Sequence, residues 1–387
     1  MIECTSMHIR HLTISGFRAI KSGSFDFTDG LGKIRPVTVL AAQNGAGKTS
    51  VLYAIVQSLR GAMGARIPDV PEPSEDDVHR SDPTGRRPVS AQVDLDITFG
   101  RDEMAAISRV FRDTAELRLQ NGKQPIQPPD LVDNCLAAHW QYPPRVRKDG
   151  VSEPSWYLSD EPSGGAFWLA GAKYAWRGFK ARSLKDPRDV YRVGMLRFFA
   201  QNRDKRWGLS KTSAGTTDDP TGMNEFTVME SLRRLGEFAH GQGTQRDDGR
   251  STWEATLQER FSRICAPKEY KGYWLDHPRY GETPLLAENG REYPFRSAAS
   301  GEHVILDYLV QFAFPRPVNN SLILIDEPEL HLHPYWIRQL YDALPLMGEN
   351  NQFILTTHSP ELRQLAAEDN ALQDLGSLES QPEGAHA

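Results

Sequence analysis

Residues Ala41–Ser50 read AAQNGAGKTS and follow directly on the strand-like run Pro36–Leu40, PVTVL. Behind them, Val51, Leu52, Ile55, Val56 and Leu59 recur at helical spacing, and Gly61 sits where a C-cap falls. A strand, a small-residue loop and a helix in that order build a phosphate cradle. Gly45, Ala46 and Gly47 let consecutive backbone N–H groups turn inward, and the helix start adds its positive end. The loop fits G-x-x-x-x-G-K-[ST] with Ala42 in the first glycine position, which a residue leaving a strand at negative φ tolerates. Asn44, Gly45, Ala46, Gly47, Lys48, Thr49 and Ser50 are therefore the expected nucleotide-contacting set. Lys48 has the reach for the β and γ phosphates, and the Thr49 hydroxyl suits Mg²⁺, so ATP and Mg²⁺ are the expected cofactors.

Working outward, Leu322–Pro334 reads LILIDEPELHLHP. Its aliphatic start has the pattern of a central parallel strand, so Asp326 and Glu327 emerge at the carboxyl end, where open α/β sheets bind ligands. Asp326 is expected to hold Mg²⁺ through water and Glu327 to orient and deprotonate the attacking water. Glu329 receives no role. His331 and His333 have a metal-ligand spacing, but a strand-to-helix turn ending with Pro334 at the first helical position accounts for them without a dedicated metal. Two further loops complete the set. Ser297–Leu306, SAASGEHVIL, opens a helix as an anion-binding loop would, and Ile354–Leu362, ILTTHSPEL, ends a strand at a histidine with the reach for a γ-phosphate.

The order of phosphate loop, S-G-E loop, D-E-P-E and T-H-S resembles the ABC-type ATPase head. Within that class, IDEPELHLHP followed by TTHSPEL is similar to the overcoming-lysogenization-defect (OLD) group and its AAA-labelled bacterial relatives, and LTISGFRAI matches their usual first strand. The resemblance covers about residues 1–60, 88–100 and 284–365. It implies an α/β fold: an ABC-ATPase-like head of the P-loop NTPase type, a mixed sheet with flanking helices, carrying a large α-rich insertion. By the same resemblance Ala42–Ser50 is the Walker A loop, Asp326 and Glu327 the Walker B pair, Ser300, Gly301 and Glu302 the signature loop, and His358 the switch histidine. Arg18 is expected to touch nucleotide, and Gln201, in LRFFAQNRD, to couple nucleotide to the inserted domain. Where the family signature begins leucine-serine, this chain has Ala298 and Ala299, which moves the contact across the dimer to Ser300 or Ser297.

Such heads sandwich two ATP molecules between two chains, so a homodimer or higher homo-oligomer is implied. OLD proteins carry a Toprim nuclease domain after the head. The 29 residues after His358 are too few for one, which implies an ATPase subunit that controls a separately encoded effector, a nuclease or toxin, in anti-phage defence. Two alternatives stand beside it: a DNA repair or recombination ATPase acting directly on DNA, and a transporter ATPase subunit.

Composition bounds these readings. The 39% hydrophobic content builds one large or two ordinary domains, and no apolar run is long enough to span a bilayer. A cytoplasmic protein without a membrane partner is expected. Cys4, Cys135 and Cys265 form no C-x-x-C pair, which argues against a disulfide framework or thiolate zinc site. The expected organisation is an N-terminal half-head over 1–100, an inserted helical, aromatic and basic region over 101–285, a C-terminal half-head over 286–370 and a tail over 371–387. Although the chain carries a net charge of -6, His139–Lys211 holds 15 Lys or Arg against 7 Asp or Glu, with Trp140, Trp156, Trp168, Trp176 and Trp207 among them. Basic residues interleaved with rings suit a nucleic-acid backbone and its bases; they suit a protein interface or a small core equally.

Overall fold

The computed structural model describes residues 7–63, 78, 90–122, 135–142, 156–158, 194, 196–199, 228–229, 232–233, 236, 251–313 and 318–377. Gln201 and most of the basic aromatic stretch 139–211 lie outside them.

Five strands form a wholly parallel sheet: β3 (Val37–Ala41), β7 (Leu196–Phe199), β11 (Leu322–Asp326), β12 (Gln352–Thr357) and β13 (Leu372–Asp374), in the order β13-β3-β12-β11-β7. Every residue of β3, β7, β11 and β12 is buried, the pattern of strands covered on both faces. Their side chains alternate between two cores, as the period of two requires. Leu40, Leu322, Leu324 and Ile354 point to one side, and Val37, Val39, Ile323, Ile325, Phe353 and Leu355 to the other.

On the first side lies α1 (Lys48–Met63), sandwiched between this sheet and a second, antiparallel one. The second sheet runs β2-β1-β4-β5-β6, built from β1 (His8–Phe17), β2 (Ile20–Asp26), β4 (Ala91–Thr98), β5 (Cys135–Tyr142) and β6 (Trp156–Leu158). With sheets on both sides, α1 is buried nearly all round, Val51, Leu52, Ile55, Val56 and Leu59 together with the polar Gln57 and Ser58. The second core is covered by α3 (Ser251–Cys265), α4 (Ser300–Ala313), α5 (Pro334–Ala343) and α6 (Pro360–Glu368). Beside α3 lies a three-stranded sheet of β8 (Lys268–His277), β9 (Gly281–Glu288) and β10 (Arg291–Pro294). Asn289 and Gly290, with φ of 52° and 76°, join β9 to β10 as a two-residue hairpin with both central residues left-handed.

The α/β head of the sequence reading thus resolves into one parallel and one antiparallel sheet. Its middle stretch contributes to both. Between 101 and 285, α2 (Arg101–Gln120) and α3 are long helices, but β5 and β6 extend the antiparallel sheet and β7 pairs in register with β11, Phe199 beside Ile325. The two sheets are tied by a side chain that imitates a strand: the Gln352 amide accepts from Ile9 N at 2.8 Å and donates to Ile9 O at 2.9 Å. No described helix is long and apolar enough to cross a membrane.

Glu103, in the first turn of α2, is wholly buried and accepts from Gly194 N at 2.8 Å and Gly100 N at 3.4 Å. Burial pushes its carboxyl pKa up to about 8, with the backbone N–H groups of Gly194, Gly100 and Met7 opposing the shift. A folded-state value raised above the unfolded one gives stability that is complete at acid pH and lost as pH rises through the folded value. The urea midpoint should therefore fall between about pH 5 and pH 8 through this group, and Glu103→Gln should flatten that slope; an unchanged slope would exclude a neutral Glu103.

Candidate nucleotide site

The ends of β3, β12 and β11 lie level, with Ala41 beside Thr357 and Asp326 beside Thr356, so the loops that leave them share one edge of the sheet. In the first loop, Gly45 and Gly47 have φ of 81° and 91°, the left-handed values that free backbone amides to face a common anion. Gly47 is needed on a second ground: a Cβ there would lie 2.9 Å from Ile20 Cγ1. The β1–β2 turn, Arg18–Ala19, is thereby packed against the loop.

Lys48 is buried, and its ammonium donates to Ala42 O and Gln43 O, each at 3.1 Å. It also lies 3.2 Å from His358 Nδ1. Because an ammonium has only donors, Nδ1 accepts and the imidazole proton sits on Nε2. That nitrogen meets Glu327 Oε1 at 2.7 Å, so Lys48, His358 and Glu327 form a continuous chain. Burial holds the Lys48 pKa below its usual value, opposed by the negative charges of Glu327, Asp326 and Glu329.

The Thr49 hydroxyl lies 3.0 and 3.1 Å from the two Asp326 oxygens. A hydroxyl and a carboxylate at the mouth of a phosphate loop are hard oxygen ligands of the kind Mg²⁺ takes, with room left for water and phosphate, so the donor set fits that ion. Thr356 Oγ1 donates to Asp326 Oδ1 at 2.5 Å and accepts from Glu327 N at 3.1 Å. Glu327 has φ 49°, a left-handed value that costs a non-glycine residue about 1–2 kcal/mol. The strained turn is where the carboxylate swings from the strand towards His358.

The remaining expected residues fall into three groups. Arg18 lies with its guanidinium 4.1 Å from the Tyr53 ring centre on α1, one turn beyond Thr49, a cation–π contact beside the phosphate loop. Ser297, Ala299 and Ser300 are exposed at the start of α4. Gly301 is buried where a Cβ would lie 2.8 Å from His331 O and 2.9 Å from the Trp336 ring. Glu302 departs from the sequence expectation of a nucleotide contact. Its carboxylate is buried in its own chain, accepting from Ala299 N at 2.6 Å and from the Tyr293 hydroxyl, and pairing with Lys268 at 3.2 Å. The pattern is half of a capping box, and it shapes the Ser297–Glu302 loop from within. His333 N-caps α5, its Nδ1 accepting from Tyr335 N at 3.2 Å ahead of Pro334.

Sequence reasoning missed Thr356 and Glu329. The first had a local signal, a second threonine at the strand end of T-T-H-S. The second had none, since its partners Thr357, His358 and Ser359 lie 28 to 30 positions away.

Residues 11–132 match a family described as "AAA domain", and residues 224–363 one described as "AAA domain, putative AbiEii toxin, Type IV TA system". The Old nuclease of Escherichia phage P2 is 21% identical over 387 positions, covering 95% of this chain; the chain spans 59% of that protein's length. The retron Vc95 probable ATPase of Vibrio cholerae serotype O1 biovar El Tor is 32% identical over 100 residues, 22% of this chain and 20% of that protein. Among solved structures, the SmcHead bound to the C-winged helix domain of ScpA shares the fold, with a TM-score of 0.53 at 14% identity over 92% of this chain and 91% of that one. Two AAA-domain matches flank a middle that neither covers, the likeness to Old nuclease runs over 95% of this chain, and the SMC head shares its P-loop ATPase fold, so the chain is similar to the OLD-like, AAA-labelled ATPases.

Proposed function

We propose that the chain is an ATP-hydrolysing switch subunit of a bacterial antiviral defence system, acting in the cytoplasm, which dimerises around ATP and controls a separately encoded effector. The observation that carries the proposal is the meeting, at one sheet edge, of Lys48, the Thr49–Asp326 pair and the Glu327–His358 pair. In this reading the amides of Asn44–Ser50 and the Lys48 ammonium hold the phosphates, and Thr49 and Asp326 hold Mg²⁺. That ion, when bound, offsets phosphate charge. Glu327 takes a proton from the attacking water, as a carboxylate in a partly dry cleft can. His358, bonded to Glu327, keeps that carboxylate aimed and stands within reach of the γ-phosphate.

The exposed Ser300 at the start of α4 faces a partner's nucleotide in the closed dimer. Contacts made only in that closed state let ATP binding shift a two-state equilibrium and hydrolysis release it. The likeness to a retron ATPase supports the defence setting, and the names nuclease and toxin among the matches support an effector of those classes.

The test is co-expression with the neighbouring genes, purification with ATP and Mg²⁺, and native mass spectrometry. A dimer with a stoichiometric second protein is expected. A bare dimer, or one carrying only nucleic acid at the basic stretch 139–211, would overturn effector control in favour of direct action on DNA.

A further inference from the structure

Glu329 lies in the turn that follows β11, two residues beyond Glu327, and the reaction proposed above does not use it. Yet its Oε1 takes three hydrogen bonds beside the site. It accepts from Thr357 Oγ1 at 2.6 Å, from His358 N at 2.8 Å and from Ser359 N at 3.2 Å. Its Oε2 is buried and receives no hydrogen bond in the structure. The turn that carries it is itself braced by Leu330 N to Glu327 O at 3.2 Å and Leu332 N to Glu329 O at 2.9 Å.

The three donors belong to consecutive residues at the point where the chain leaves β12. Ser359 N is shared with Thr357 Oγ1 at 2.9 Å, and a charged acceptor that takes that hydroxyl and two amides in a row fixes both the direction of the chain and the Cα–Cβ vector of the residue between the amides. That residue is His358. Its ring must bridge Glu327 at 2.7 Å and Lys48 at 3.2 Å, so small rotations of its backbone break one contact or the other.

We infer that Glu329 is a positioning residue for the proposed hydrolysis: its carboxylate anchors Thr357–Ser359 and thereby holds the His358 imidazole between Glu327 and Lys48, touching neither phosphate nor water. The inference rests on the reading of this site as an ATPase. Its chemistry predicts an order among variants. Gln keeps an acceptor oxygen at the same reach and replaces the unbonded Oε2 with a buried amide group. Asp keeps the charge but withdraws it by one methylene, and Ala removes it.

The experiment measures kcat, the ATP dissociation constant and the ¹⁵N spectrum of the His358 ring in the full chain, the ring signals being assigned by their loss in His358→Ala. Glu329→Ala and Glu329→Asp should lower kcat about tenfold to a hundredfold while ATP affinity stays within about threefold, and Glu329→Gln should recover most of the rate. The ring should show the Nε2-protonated form in the native chain and in Glu329→Gln, and an averaged pattern in the other two. Native kcat and a native ring signal in Glu329→Asp would overturn the inference, as would a Gln variant impaired as severely as Ala. Should the native chain hydrolyse no ATP, the functional reading falls, and the ring spectra alone still decide whether Glu329 positions His358.

Discussion

Glu327→Gln should lower kcat for ATP by at least about a hundredfold and convert the protein into a stable ATP-dependent dimer. The amide has no basic oxygen able to take a proton from water, but its carbonyl still accepts from His358 Nε2, so the site keeps its shape. Bound ATP then persists, and so do the contacts that ATP makes across the two chains. Light scattering after size exclusion, with and without Mg-ATP, is the direct measurement. A variant that runs as a monomer at saturating ATP would sink the sandwich, whatever its hydrolysis rate.

Lys48→Met should act one step earlier, weakening ATP binding by at least about a hundredfold, a loss of the size found when one member of a buried charge pair is truncated. Here the loss has two parts. The γ-phosphate forfeits its cation, and the carboxylates of Asp326, Glu327 and Glu329 are left facing the incoming triphosphate without the Lys48 charge that offsets them. Titration calorimetry reads the affinity, and the thermal shift on adding Mg-ATP should vanish. The pair of variants separates binding from hydrolysis: the double variant should be a monomer like Lys48→Met, because no trapped dimer forms without bound nucleotide. Native affinity in Lys48→Met would remove the phosphate-loop reading itself.

What could be read from the sequence was whatever a short window contains. The phosphate loop declares itself because strand, glycines, lysine and helix are contiguous, and LILIDEPELHLHP declares a buried strand ending in carboxylates by the same contiguity. The part that stayed hidden depends on partners far along the chain. Glu302 reads as a signature residue until Lys268 and Tyr293 from the three-stranded sheet are seen to occupy its carboxylate. Strand β7 is only four residues long and sits in a stretch whose composition suggests something separate from the head, yet it pairs with β11, the strand that ends in Asp326. Arg18 could be placed near the nucleotide by resemblance, but its seat on Tyr53 depends on how a hairpin lies over a helix.

Strand β3, which delivers the phosphate loop, has as its neighbours only β12 and β13. Both are made more than three hundred residues after it, so during synthesis the ribosome exposes VTVLA long before either flank exists. Such distant pairing is slow to form and leaves an apolar edge open meanwhile. It also sets the order of events in the cell. A nascent chain holding residues 37–50 but not yet β12 and β13 has no strand paired with β3 to mount that loop on, and no His358 opposite it. The proposed nucleotide site can therefore assemble only once residues 352–374 have been made, and a product truncated before them should bind no ATP.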